Sequence, residues 1–136
     1  MVALPTNVME QFNDKASTKI LGTKSDKGDV HMINVGGAGA VDPETIFVGE
    51  IIMKASSENL RLAQKDGSKC SILVTKGMEA YEVRCSVKGY QSSGPMFDQM
   101  KTQFKAMGYD LRGVWLLKPE EVWNESPAWT TSRKMV

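Results

Sequence analysis

Residues 70–88 carry the pattern that most restricts what this chain can fold into. Cys70, Ile72 and Val74 alternate with Ser71, Leu73 and Thr75, and Tyr81, Val83, Cys85 and Val87 alternate with Glu82, Arg84, Ser86 and Lys88. A period of two over consecutive runs describes half-buried strands. The intervening Gly77-Met78 has glycine first, as a type II′ hairpin turn prefers. That turn pairs Val74 with Tyr81, Ile72 with Val83 and Cys70 with Cys85 on the apolar face. A hairpin with one greasy face is unstable alone, so the rest of the chain must cover it.

Further strands are available. Residues 18–24 and 29–35 read as extended runs joined by Ser25-Asp26-Lys27-Gly28, with glycine where a positive φ is needed. A glycine-rich stretch without bulky side chains follows, Val35-Gly36-Gly37-Ala38-Gly39-Ala40. Asp42-Pro43-Glu44 then turns the chain into a third strand over 45–53, and a last strand is expected over 111–117, carrying Trp115. Helices flank these runs. Leu4, Val8 and Phe12 share one face of a short first helix, with Pro5 near its first turn and Thr6 and Asn7 available as caps. Ser56 opens a brief helix that Asp66-Gly67-Ser68 ends. Pro95 opens a third, whose Phe97, Met100, Phe104 and Met107 form a core-facing stripe before Gly108. The expectation is a mainly β chain: one domain over 1–136, a six-stranded antiparallel barrel with peripheral helices. The tail over 119–136 holds Trp123, Pro127 and Trp129 without a clear period, and is expected to pack on a partner subunit or a ligand.

Composition narrows the function. The 136 residues hold 17 basic and 16 acidic side chains, a net charge of +1, which argues against a nucleic-acid binder. No apolar run approaches the roughly 20 residues of a membrane helix. Met1-Val2-Ala3-Leu4-Pro5 lacks the basic-then-apolar order of a signal peptide, so a cytoplasmic, reduced protein is expected. Cys70 and Cys85 are then expected to be two buried thiols acting as small hydrophobes rather than a redox couple. The single histidine, His31, cannot build a histidine metal cluster, and no GxSxG, GxxxxGK[ST] or GxGxxG pattern occurs. A chain with so little acid–base equipment leaves hard chemistry to a cofactor.

Two segments could together hold a planar, phosphorylated ligand. Asn34-Val35-Gly36-Gly37 is small enough for a flat ring to lie against backbone amides, or it is simply a bulged loop. Met53-Lys54-Ala55-Ser56-Ser57-Glu58-Asn59 hands a strand to a helix, whose N-terminus, with the Lys54 charge and two hydroxyls, suits a phosphate. The alternative there is an ordinary serine cap beside a solvated lysine.

The chain resembles the pyridoxamine-phosphate-oxidase-like FMN-binding split-barrel family, especially its small FMN-binding members, over roughly residues 4–122. The resemblance rests on three motifs in order. These are Asp26-Lys27-Gly28 followed by Val30-His31-Met32-Ile33-Asn34; residues 54–60 followed by a strand; and Lys88-Gly89-Tyr90 leading into Ser93-Gly94-Pro95-Met96-Phe97-Asp98. It implies a six-stranded split barrel forming a homodimer with two FMN molecules in its interface. It also implies that Asn34, Val35, Gly36 and Gly37 lie along the flavin ring and that Met53, Lys54 and Ala55 flank the ring and ribityl chain. Ser56, Ser57 and Asn59 then match the phosphate turn. Relatives place an aromatic residue of the second subunit near the flavin, for which Trp115, Trp123 and Trp129 are candidates. Lys54-Ala55-Ser56 stands where relatives carry adjacent basic residues or a Lys-Thr pair, and the long carboxy-terminal segment of true pyridoxamine-phosphate oxidases is missing. The implied function is an FMN-dependent flavin reductase, oxidoreductase or electron carrier without pyridoxamine-phosphate oxidase activity, and no catalytic residue is nominated. The competing expectations are a dimeric module that has lost flavin, or a barrel that binds a deazaflavin or, through His31, haem.

Overall fold

The computed structural model describes residues 2–127 and 133–136. Its elements run α1 (Thr6–Phe12), β1 (Thr18–Lys24), β2 (Val30–Asn34), β3 (Ala38–Asp42), β4 (Thr45–Glu50), α2 (Lys54–Asp66), β5 (Lys69–Lys76), β6 (Glu79–Gln91), α3 (Pro95–Ala106), β7 (Gly113–Asn124) and β8 (Arg133–Lys134). All strand pairs are antiparallel. The spatial order is β2-β1-β5-β6-β7-β4-β3, with the two-residue β8 added to β7.

The β5–β6 hairpin has the register that alternation predicts: Val74 opposes Tyr81, Ile72 opposes Val83 and Cys70 opposes Cys85. Its apolar face continues through Leu21 of β1, Ile46 and Val48 of β4, and Trp115, Leu117 and Val122 of β7. Leu60 of α2 closes one end of this core, and Val8 and Phe12 of α1 fill the gap between its edges.

That gap is the split of the barrel. β2 and β3 end the sheet without pairing to each other, so polar side chains bridge the opening instead. The buried Lys19 ammonium of β1 donates to the carbonyls of Phe12 (3.2 Å) and Ala38 (2.8 Å). The Asn13 amide, just past α1, receives the N–H of Ala40 at 2.9 Å and donates to its carbonyl at 3.2 Å, continuing β3 as a strand neighbour would.

A second, smaller apolar cluster lies on the other face of β7. Phe97 and Phe104 of α3 cover Leu111, Val114 and Leu116. Alternate residues of β7 therefore face two different cores, and its first five are all buried. This explains why 113–117 shows no clean alternation.

Eight strands occur where six were expected. Ala38 to Ala40, expected within a loop, pair with β4 as β3, and the tail supplies β8. Its Met135 N–H donates to the Val122 carbonyl at 2.6 Å, so the described end of the tail lies on its own β7; Trp129 falls outside the described residues. β4 stops at Glu50 rather than residue 53, and β7 runs on to Asn124. The second helix is not brief. It spans thirteen residues and ends at Gly67, whose φ of 78° supplies the left-handed C-cap. Neither Thr6 nor Asn7 caps α1; both lie inside it, after Pro5. Met107 leaves the stripe of α3 and is exposed. No helix among the described residues is long and apolar enough to cross a membrane.

Candidate functional site

The turn from β4 into α2 opens a cleft of about 310 Å³. One wall is a face of α2, where Lys54, Ser57, Glu58 and Arg61 follow at helical spacing. Glu50, Ile51 and Arg112 line the cleft as well. Arg112 is held there by the sheet: Glu50 is the register partner of Gly113, and the Arg112 N–H donates to the Glu50 carbonyl at 2.9 Å.

Beneath the cleft lies a compact polar network. Tyr90 of β6 donates its hydroxyl to Glu50 Oε1 at 2.6 Å. The Ser57 hydroxyl donates to Glu50 Oε2 and accepts the Trp115 indole N–H at 3.2 Å. The Tyr90 and Trp115 rings meet with centroids 4.7 Å apart, and the Arg61 guanidinium lies 5.8 and 5.6 Å from them. Burial pushes the Glu50 carboxyl up, but the hydrogen bonds from Ser57 and Tyr90, the Arg61 charge and Trp115 together hold it below its ordinary value. Burial and the Glu50 carboxylate push the Tyr90 phenol up to about 12.

A second cavity, about 260 Å³, adjoins the first and shares Ile51 as a wall. Gly36 and Gly37 line it, with Phe104, Met107 and Tyr109. The Gly49 N–H donates to the Gly37 carbonyl at 2.7 Å, which ties the glycine segment to β4. Gly36 is exposed, and a Cβ there would meet nothing within 4 Å. Gly37 is different: a Cβ there would overlap the Phe104 ring, and one on Gly49 would lie 2.9 Å from it. Phe104 thus rests directly on both glycines.

The candidate residues from the sequence fall into three places. Met53, Lys54, Ala55 and Ser57 gather at the start of α2, and Asn34, Val35, Gly36 and Gly37 lie at the end of β2 and just past it. Lys54 and Ala55 are exposed, while Ser57 is 2% exposed and Ser56 is 0%. The Ser56 hydroxyl finds no hydrogen-bond partner among the described residues. Asn59 turns away to donate to Thr23 Oγ1 at 3.1 Å, beside a different groove. Trp115 is 1% exposed inside its own barrel, and Trp123 is covered by Arg84, whose guanidinium lies 4.9 Å from its ring. His31 sits in the β1–β2 ladder opposite Thr23, and no group of three His, Cys, Asp or Glu among the described residues could hold a metal ion.

Sequence reasoning passed over Glu50, Arg61 and Arg112. Arg61 was findable: starting the helix at Lys54 rather than Ser56 puts the two residues two turns apart on one face. Arg112 carried no local signal, because only the β4–β7 register brings it to Glu50.

No protein-family model and no curated protein sequence matches this chain. Solved structures do. HupZ of group A Streptococcus superposes with a TM-score of 0.76 at 14% identity, over 98% of this chain and 99% of HupZ. An FMN-binding protein from Syntrophomonas wolfei gives 0.70 at 15% identity, over 90% of this chain and 88% of its own. The fold is a split barrel. A proposed pyridoxamine 5′-phosphate oxidase from Lactobacillus delbrueckii shares it, with a TM-score of 0.68 at 20% identity over 89% and 93% of the two chains. Split barrels serve other ligands as well: an F420 reductase and a haem storage protein from Vibrio cholerae each match with a TM-score of 0.63.

Proposed function

We propose that this split barrel binds FMN in a homodimer and acts as a flavin-dependent oxidoreductase or an electron carrier. The observation that carries the reading is the cleft at the start of α2. Lys54, Arg61 and Arg112 converge there next to the open backbone of Gly36. No side chain caps α2, so its N-terminal dipole also faces that region.

The residues present suit the group. Lys54 and the first turn of α2 would receive the phosphate, Met53 and Ala55 would border the ribityl chain, and the Asn34–Gly37 segment would lie along the ring. A bound flavin would supply hydride or electron transfer, and the protein's part is to position it and exclude water. A second protomer is supported by apolar side chains left at the mouths of both cavities. Ile52, on the rim of the basic cleft, is 93% exposed, and Met107 and Tyr109 beside Gly36 are also exposed.

One observation favours a second reading, a split-barrel module without flavin: Phe104 already occupies the space over Gly37. Purification without added cofactor separates the two. Mass measurement of the small molecule released on denaturation identifies FMN under the first reading. A colourless protein that takes up no flavin supports the second, and release of a deazaflavin or haem replaces the ligand.

A further inference from the structure

We infer that Arg61 and Arg112, rather than Ser56 and Ser57, make this chain select a phosphorylated ligand over the same ligand without its phosphate. The inference rests on the flavin reading above and concerns which side chains of that cleft meet the anion.

The serines are committed elsewhere. The Ser57 hydroxyl is held between Glu50 and the Trp115 indole, and Ser56 is wholly buried and does not line the cleft. The cations are not committed. Among the described residues Lys54, Arg61 and Arg112 have no carboxylate within 4.0 Å, although Glu50 and Glu58 line the same cleft. Glu50 accepts from Tyr90 and Ser57 and acts on Arg61 through its charge, without a salt bridge between them. Arg61 instead rests on the Tyr90 and Trp115 rings, which limits its freedom before any ligand arrives. Arg112 lines the same cleft, its backbone anchored by its own N–H to the Glu50 carbonyl. Two guanidiniums and an ammonium against two carboxylates leave one net positive charge in the cleft for an anion. Guanidinium geometry suits phosphate oxygens in pairs.

The test titrates the full chain with FMN and with riboflavin, which differ only in the phosphate, and follows quenching of flavin fluorescence. The wild type should bind FMN more tightly. Arg61→Gln and Arg112→Gln should each weaken FMN about tenfold, as loss of a charge-assisted hydrogen bond implies, with riboflavin affinity unchanged. Arg61→Lys, which keeps the charge but not the planar fork, should recover part of the loss. Ser56→Ala should leave FMN affinity as it was. Equal affinity of the wild type for both flavins would overturn the inference while leaving the flavin reading standing. So would equal losses for both flavins in the arginine variants, or a tenfold loss of FMN affinity in Ser56→Ala. A wild type that binds neither flavin would overturn the reading itself, and the inference with it.

Discussion

Tyr90 reaches across Gly113 to place its hydroxyl 2.6 Å from the Glu50 carboxylate. β6 is thereby tied to β4 over the intervening β7, at the end of the barrel where the basic cleft opens. The contact exists because residue 113 has no side chain: a Cβ there would overlap both the hydroxyl and the ring of Tyr90.

Gly113→Ala should therefore cost about 3 kcal/mol of folding stability, the scale of forced overpacking. Tyr90→Phe keeps the ring but strips Glu50 of one donor and should cost about 1–2 kcal/mol. Urea denaturation of the two variants checks both, and a Gly113→Ala protein as stable as the wild type would contradict the packing described.

The same pair sets two pH limits. The Tyr90 phenol is raised from 10.0 to about 12, so the folded state keeps a proton that the unfolded state loses. Its stabilisation is fully present below pH 10 and is lost as pH rises towards 12. Glu50 is lowered from 4.5, so its contribution is present above that value and is lost as pH falls through the folded pKa. Denaturation midpoints across pH should decline on both limbs, and Tyr90→Phe should flatten the alkaline decline and lessen the acid one.

Lys19 is the peg of the split. Its ammonium is buried, and that burial lowers its pKa while it donates to Phe12 and Ala38. Lys19→Met retains the aliphatic stem and removes the donor, leaving two carbonyls unmatched at the seam. A loss of about 1–3 kcal/mol is expected. Hydrogen exchange should quicken first in β3 and at the end of α1, and uniform quickening would argue against a local seam.

Cys70 and Cys85 face one another in the hairpin, both buried and both free. The neighbouring Cys70 thiol and burial push the Cys85 thiol well up, which disfavours the reactive thiolate. In native buffer neither should react with a thiol-specific aromatic disulfide, and both should react in denaturant. Rapid labelling of the native protein would show that the hairpin opens.

How far the sequence could lead follows from which interactions are local. The β5–β6 register was readable because a two-residue turn and strict alternation lie within nineteen neighbouring residues. Strand β3 was not, because Ala38, Gly39 and Ala40 carry little strand preference. They pair only because β4 lies alongside and the Asn13 amide completes their hydrogen bonding. The same division runs through the site. Lys54 and the helix start were legible in one stretch, whereas Tyr90, Glu50 and Arg112 meet only through strand pairing across β7. Ser56 and Ser57 read as hydroxyl donors at a helix start, with an ordinary serine cap as the alternative. Once α2 begins at Lys54 they occupy its inner face.

The most direct measurement of the central claim is a titration of FMN with the purified full-length protein, following flavin fluorescence and the dimer fraction together. Saturable quenching at one FMN per protomer, with the protein running as a dimer, is the predicted result. Fluorescence that stays unchanged at protein concentrations far above those of the flavin would contradict it.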